Sequence, residues 1–147
     1  MGFVRLVQRI CGGGRVIVTG IASRGGDSQR PGLHLRLPDT LVTQVRALEL
    51  HAGVLDAVRT ELKADPLIVQ LAACVDNDWE RVVDGAVYRA GAGLRMLGSR
   101  KVTRGADRGR IYEVLYVVEP DGKVSEGRPE RWSDAQLREL CSMHASG

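Results

Sequence analysis

A carboxylate followed by two cations is the part of this sequence best suited to chemistry on phosphate groups. Asp84 follows two valines, and a glycine-rich turn leads from it to Arg95 and Lys101. A nucleotide site with bound Mg²⁺ needs these residue types, because the carboxylate holds the metal, the metal bridges the phosphates and the cations neutralise the remaining charge. His34 lies beside Arg36 on the polar face of a predicted strand, where an imidazole can hydrogen-bond a phosphate oxygen.

Positive charge is concentrated in the same part of the chain. Residues 81–110 contain eight basic and two acidic residues, which gives this segment +6, although the whole chain carries +3. A local basic segment suggests an anion site such as phosphate groups, more than a basic coat for nucleic acid. A solvated, arginine-rich surface loop explains the composition equally well, and both interpretations stay open.

Three other motifs are better explained by structure than by chemistry. Gly20–Gly26 follows a predicted strand but lacks the lysine and the hydroxyl of a phosphate loop, so we expect a turn. Cys141 and His144 form a single pair where zinc needs two, which predicts a helix face packed inward. Asp76 and Asp78 resemble a metal-binding pair, but they directly precede a predicted short helix, where Asp is a common N-cap.

Length and composition predict one globular domain over residues 1–147, with residues 1–14 as a flexible segment. The chain is 44% hydrophobic and 27% charged, which is typical of soluble domains. Arg and Gly interrupt every apolar stretch before it reaches the roughly 18 residues of a membrane span, so we expect no membrane partner. Three widely spaced cysteines exclude a disulfide framework and favour a reducing, intracellular setting.

Three runs of residues predict strands. The β-branched run 15–20 and the apolar run 111–118 are the clearest. The run 32–38 alternates, which predicts that its three leucines face inward and that His34 and Arg36 face outward.

Two amphipathic helices complete the prediction. The first extends from about residue 39 to 64, with Asp39 or Thr40 as N-cap, and the second covers residues 133–144 with a Ser-x-x-Gln capping box. Strands and helices do not alternate regularly, which favours an α+β fold with a small mixed or antiparallel sheet flanked by helices. The predicted buried stripe of the first helix follows steps of three and four: Leu41, Val45, Leu48, Ala52, Leu55, Val58 and Leu62.

Several of these motifs, taken in order, resemble the catalytic domain of archaeo-eukaryotic-type primases. Gly32-Leu33-His34 fits the small-x-His motif of that family, and Val83-Asp84 fits its hydrophobic-Asp motif. Tyr88 and the segment 94–101 are similar to its nucleotide-contacting segment. The likeness is greatest to the branch of large DNA viruses, herpesviruses and eukaryotic primase-polymerases, and it covers roughly residues 15–146.

The resemblance implies template-directed primer synthesis on DNA. His34, Arg95, Ser99 and Lys101 would bind the incoming nucleoside triphosphate, and Asp84 would bind Mg²⁺ or Mn²⁺, with His34 and Asp84 as the catalytic residues. The implied partners are a DNA template, a helicase and a chain or segment that supplies any missing motif. A viral member would act in the nucleus or cytoplasm of the infected cell, or in the virion.

One departure from the family pattern limits this hypothesis. The first motif of the family is an acidic pair upstream of the histidine, but the 33 residues before His34 contain one acid, Asp27. The chain therefore resembles the C-terminal half of a primase core, as a fragment, a decayed copy or a subunit, and we expect it to be inactive alone because one carboxylate cannot hold two metals. The alternatives are a non-enzymatic nucleotide- or nucleic-acid-binding module, a structural protein built on this half-fold, and a scaffold that binds an acidic surface.

Overall fold

A computed structural model describes residues 2–21, 33–73, 78–85, 88, 96–100 and 111–141. The chain divides into two compact units. Unit 1 consists of Met1–Gly13 and Thr40–Leu94, and unit 2 consists of Gly14–Asp39 and Arg95–Gly147. Helices together with an antiparallel sheet confirm the α+β prediction. Within the described residues no helix combines the length and the apolar character that crossing a membrane requires.

Unit 1 is helical throughout its described elements. The first of its helices was not predicted from the sequence. The four helices are α1 (Gly2–Ile10), α2 (Gln44–Thr60), α3 (Pro66–Ala73) and α4 (Trp79–Val82).

Two glycines end α1. Gly12 and Gly13 have φ angles of +99° and +76°, which a residue with a Cβ rarely adopts. The Gly13 N–H donates to the Gln8 carbonyl at 2.8 Å, so a carbonyl of the last turn is satisfied. Leu6 and Val7 are buried, and α1 packs against α2.

Helix α2 begins later than predicted. Its N-cap is Thr43, whose Oγ1 accepts from the Arg46 N–H at 3.2 Å. The two predicted caps have other roles: the Thr40 hydroxyl donates to the Cys11 carbonyl at 3.1 Å, and the Asp39 carboxylate accepts from the Arg15 N–H at 2.8 Å. The helix therefore starts where a hydroxyl can reach the third N–H of the first turn.

The predicted buried stripe of α2 is wrong for its first half. Val45 and Leu48 are exposed, and burial begins only with a cluster in the second half of the helix. Leu55 and Val58 belong to the predicted stripe and are buried, so this part of the prediction is confirmed. The buried residues are Val54, Leu55, Ala57 and Val58.

Asp78 caps α4, as the structural interpretation of the Asp76–Asp78 pair predicted. Its Oδ1 accepts from the Glu80 N–H at 3.2 Å. Asp76 lies outside the described residues.

Unit 2 contains a four-stranded antiparallel sheet in the order β2-β1-β3-β4. The sequence predicted its first three strands and missed the fourth. The elements are β1 (Val16–Gly20), β2 (His34–Arg36), β3 (Glu113–Val118), β4 (Val124–Glu126) and the helix α5 (Asp134–Cys141).

The core of unit 2 is built on β1, which is buried along its whole length. Ile17 lies opposite Arg36 on β2 and Val117 on β3, and it packs in one cluster with Trp132 and Cys141. Burial of Cys141 confirms that this face of α5 packs inward; His144 lies outside the described residues.

The capping box predicted at the start of α5 is confirmed. The Gln136 N–H donates to the Ser133 Oγ at 3.2 Å, and the Ser133 N–H donates to the Gln136 Oε1 at 2.9 Å. The side chains of Ser133 and Gln136 thus accept from two N–H groups that have no partner within the helix.

Candidate anion-binding site

His34 lies on β2, opposite Thr19 of the central strand β1. Its side chain is half-buried, and its ring lies against the ring of Tyr112 with centroids 5.1 Å apart. The Tyr112 hydroxyl and the His34 Nε2 are 3.5 Å apart, at the long end of the hydrogen-bonding range. The pair places an imidazole and a phenol together at one edge of the sheet.

The backbone of Tyr112 forms hydrogen bonds with the residues just before the basic positions 101–110. The Gly98 N–H donates to the Tyr112 carbonyl at 2.9 Å, and the Tyr112 N–H donates to the Ser99 carbonyl at 3.0 Å. Arg100 and Ile111 form an antiparallel bridge directly beside these bonds. The two residues that flank positions 101–110 are therefore side by side, next to the His34–Tyr112 pair.

The sequence between those two ends is strongly basic. Residues 101–110 contain Lys101, Arg104, Arg108 and Arg110 against one acid, Asp107. The predicted basic loop itself lies outside the described residues, as does Arg95. The described residues fix only the two ends of this segment, at the bridge between Arg100 and Ile111.

Ser99, a predicted nucleotide-binding residue, directly precedes the bridge between Arg100 and Ile111. Its Oγ is buried, and the described residues offer it no hydrogen-bond partner. Buried polar atoms are nearly always paired, by protein, water or a bound group. The position of this hydroxyl, two residues before the predicted phosphate contact Lys101, fits a donor to a phosphate oxygen.

Arg36 does not face outward as the strand alternation predicted. It is 7% exposed, its Nη1 donates to the Cys141 carbonyl at 2.6 Å, and its Nε lies 3.4 Å from the Thr19 Oγ1. Burial lowers the pKa of this guanidinium, although nearby Cys141 and Tyr112 oppose the shift. Since a cation is favourable at a helix C-terminus, Arg36 fixes the end of α5 to the sheet.

Asp84 belongs to unit 1, where it is exposed just after α4. Two side chains of α2 form hydrogen bonds with the backbone on either side of Asp84. The His51 Nε2 lies 2.6 Å from the Val83 carbonyl oxygen, and the Gln44 side-chain amide donates to the Tyr88 carbonyl at 2.6 Å. Because a carbonyl only accepts, Nε2 carries the proton in the His51 bond.

Gly85 allows this contact because it has no side chain. A Cβ at this position would lie 3.0 Å from the His51 Cε1, closer than ordinary packing permits. The ring of His51 also meets the ring of Tyr88 edge-on, with centroids 5.9 Å apart. His51 and Gln44 thus fix the backbone of the segment that carries Asp84.

The predicted site residues are brought together only in part. His34 and Ser99 are linked through Tyr112 within unit 2, whereas Asp84 lies in unit 1. Convergence of these residues with Arg95 and Lys101 stays a prediction, because both cations lie outside the described residues.

The described residues do not by themselves form a complete protein site for a divalent ion. The described ranges contain no group of three or more His, Cys, Asp or Glu side chains that could hold a metal. Asp84 contributes a single carboxylate, and Mg²⁺ bound through so few protein ligands relies on substrate phosphates for the rest of its coordination.

Sequence reasoning assigned no role in the site to Tyr112 or His51. Tyr112 alternates with Val114 at the start of the β3 run, which indicates an inward face, but its contact with His34 depends on pairing across the sheet. His51 lies within the predicted helix and carries no motif. Its partner Val83 is 32 residues away, so no local pattern could have identified it.

Comparison of the chain with protein-family models, with curated proteins and with solved structures gives no significant match in any of the three.

Proposed function

We propose that this chain binds the triphosphate of a nucleotide on unit 2, where the ends of the basic segment meet the His34–Tyr112 pair. The observation that carries the proposal is the antiparallel bridge between Arg100 and Ile111. The bridge places the two residues that flank positions 101–110, which include four basic residues, beside an imidazole, a phenol and a buried serine hydroxyl. Triphosphates are bound by such combinations of cations and neutral donors.

The roles of the residues follow from their chemistry. Lys101 and the arginines after it neutralise the charge of the phosphates, and Arg95 offers a planar fork to two phosphate oxygens. The Ser99 hydroxyl and the His34 imidazole donate hydrogen bonds that fix the phosphate position. The Tyr112 ring supports the His34 ring from the side.

The resemblance to primases supports a narrower form of the proposal. In that form the chain is a nucleotidyltransferase domain that contributes nucleotide binding and Asp84, while another chain or segment supplies the acidic pair. DNA template, Mg²⁺ or Mn²⁺ and a helicase partner belong to this narrower form. The broader form needs only binding and describes a non-enzymatic module.

Titration with a fluorescent nucleoside triphosphate tests the broader form. We expect saturable binding, and we expect Ser99→Ala to weaken it roughly tenfold, as the loss of a hydrogen bond to a charged group does. Ser125→Ala is the matched control, because Ser125 lies on β4 and is half-buried like Ser99. Equal affinities for both variants would contradict the assignment of Ser99.

Mn²⁺ and DNA separate the two forms. Repeating the titration with Mn²⁺ and with EDTA, on the wild type and on Asp84→Asn, shows whether Asp84 contributes to a metal-dependent part of the binding. Metal dependence that is lost in Asp84→Asn supports the narrower form. Triphosphate binding that is independent of metal and unchanged in Asp84→Asn supports a non-enzymatic module. Binding of single-stranded DNA without binding of the triphosphate would overturn the proposal.

A further inference from the structure

The fold of unit 2 holds the phenol of Tyr112 against one particular nitrogen of His34. Tyr112 is 5% exposed, and both polar groups of its backbone are paired, the N–H with the Ser99 carbonyl and the carbonyl with the Gly98 N–H. Its hydroxyl oxygen lies 3.5 Å from the His34 Nε2, and the planes of the two rings are 37° apart. The backbone of Tyr112 thus decides that the phenol meets Nε2.

Two arrangements of the proton are chemically open to this pair. Either the Tyr112 hydroxyl donates to a bare Nε2, or a protonated Nε2 donates to the phenol oxygen. In a neutral imidazole, Nδ1 carries the ring proton in the first arrangement and lacks it in the second. The charge near the hydroxyl distinguishes the two arrangements.

Arg36 favours the arrangement in which Tyr112 donates. It lies two residues after His34 on β2, so both side chains are on the same face of the sheet. Burial lowers the pKa of the Arg36 guanidinium, and Tyr112 is one of the groups that oppose this shift, so the charge and the phenol interact. A cation attracts the lone pairs of the phenol oxygen and repels the hydroxyl proton, which is then directed toward His34.

We propose that Tyr112 is a positioning residue that fixes the tautomer of His34, with the phenol donating to Nε2 and the ring proton on Nδ1. The hydrogen bond at one ring nitrogen sets which nitrogen carries the proton. The tautomer is a property of the free chain, and only its consequence for a ligand rests on the proposed function.

That consequence is the identity of the atom that donates to phosphate. With Nε2 occupied by Tyr112, the donor that His34 offers to a phosphate oxygen is Nδ1–H. Nδ1 is buried, as is the Ser99 Oγ. A hydrogen bond to a charged oxygen is stronger where water is excluded, so the position of this single proton affects affinity.

Long-range ¹H–¹⁵N correlation spectra of the free chain, labelled at histidine, read the tautomer directly. At about pH 8, well above the ordinary imidazole pKa of about 6.5, a neutral ring gives distinct signals for its protonated and its bare nitrogen. We expect a protonated Nδ1 and a bare Nε2 in His34. His51 is an internal control with the opposite tautomer, because its Nε2 lies 2.6 Å from the Val83 carbonyl oxygen, which only accepts. His34→Gln and His51→Gln assign the signals.

Two matched phenol variants test the role of the hydroxyl. Tyr112→Phe keeps the ring and removes the donor, so we expect the His34 proton to move toward Nε2, seen as opposite shifts of the two ring ¹⁵N signals. Tyr116→Phe removes the hydroxyl of a 39% exposed tyrosine of β3 and should leave both signals unchanged. Unchanged amide signals of the sheet residues show that each variant is folded. A protonated Nε2 in the wild type, or an unaltered His34 tautomer in Tyr112→Phe, would overturn the proposal.

Titration with a fluorescent nucleoside triphosphate separates this inference from the proposed function. At the same pH we expect Tyr112→Phe to bind roughly three- to tenfold more weakly than Tyr116→Phe, because much of the chain no longer offers Nδ1–H to a charged oxygen. Equal affinities despite a changed tautomer would overturn the role of Nδ1 in binding. A wild type that binds no triphosphate would overturn the proposed function instead, while the spectra of the free chain still decide the tautomer.

Discussion

Arg36 and Cys141, which are 105 positions apart in the sequence, are joined by a hydrogen bond of 2.6 Å between the guanidinium Nη1 and the carbonyl oxygen. Both residues are buried, so the bond connects the edge strand β2 to the end of α5 inside unit 2. Arg36→Ala removes this donor and leaves space in the core. We expect the free energy of unfolding to fall by about 2–4 kcal/mol, measured by urea denaturation.

Arg5→Ala is the matched control for that experiment. It removes the same charge from an exposed position on α1 and should change stability by no more than about 0.5 kcal/mol. Arg36→Met keeps much of the side-chain volume and separates packing from hydrogen bonding. Stability of Arg36→Ala within error of the wild type would show that the bond contributes nothing.

Two glycines of unit 1 should respond oppositely to the same substitution. Gly85→Ala places a Cβ 3.0 Å from the His51 ring, and we expect a loss of about 1–3 kcal/mol. Gly53→Ala lies within α2, where a Cβ meets Ile10 Cγ2 at an ordinary 3.8 Å, and we expect a gain of about 0.5–1 kcal/mol from helix propensity. Thermal or urea unfolding of both variants measures the difference, and a stabilised Gly85→Ala would contradict the close approach of His51.

Stability should fall at alkaline pH because of Cys141. Burial raises the pKa of this thiol above its ordinary value of 9.0, although the charge of Arg36 opposes the shift. Above pH 9 the unfolded chain loses the thiol proton before the folded chain does, so the folded state binds more protons and stability decreases as pH rises. We expect Cys141→Ala to cost less stability at pH 10 than at pH 8, and a cost independent of pH would exclude this linkage.

The basic residues are predicted to divide into two classes. Arg95→Ala and Lys101→Ala should weaken binding of a nucleoside triphosphate much more than Arg104→Ala or Arg108→Ala. The first two are the predicted phosphate contacts, whereas the others act through long-range attraction that salt screens. Titration of all four variants at two salt concentrations measures this, and four equal losses that vanish at high salt would indicate a solvated basic face.

No primer synthesis is expected from the purified chain. The sequence before His34 contains one acid, and in-line transfer by two metals needs ions held roughly 3.5–4 Å apart. A primer-extension assay with Mn²⁺ and an unrelated polymerase as positive control measures this. Template-dependent incorporation that co-purifies with the chain and disappears in Asp84→Asn would refute the expectation.

Elements specified by neighbouring residues could be predicted from the sequence. The capping box of α5 needs only Ser133 and Gln136, and the runs that form β1 and β3 are rich in β-branched residues. Features that depend on distant partners could not be predicted. Arg36 is polar by type, and only its contact with the end of α5 makes its burial favourable.

In the candidate site, too, features that depend on distant partners could not be predicted from the sequence. The sequence drew attention to His34 and Ser99 but not to Tyr112, whose backbone and ring connect them. Spacing predicted too long a buried stripe for α2, since Leu55 and Val58 are buried but Val45 and Leu48 are exposed. Where along the helix burial begins is decided by tertiary packing.

The strand order of unit 2 has a consequence for synthesis on the ribosome. The central strand β1 pairs with β2 soon after it emerges, but its other edge waits for β3, where Val16 meets Val118. At about 5–20 residues per second, roughly 5–20 s pass before that partner is made. During this interval β1, which is fully buried in the folded unit, has one edge without a hydrogen-bonding partner. A chain halted before β3 would therefore expose an aggregation-prone strand edge.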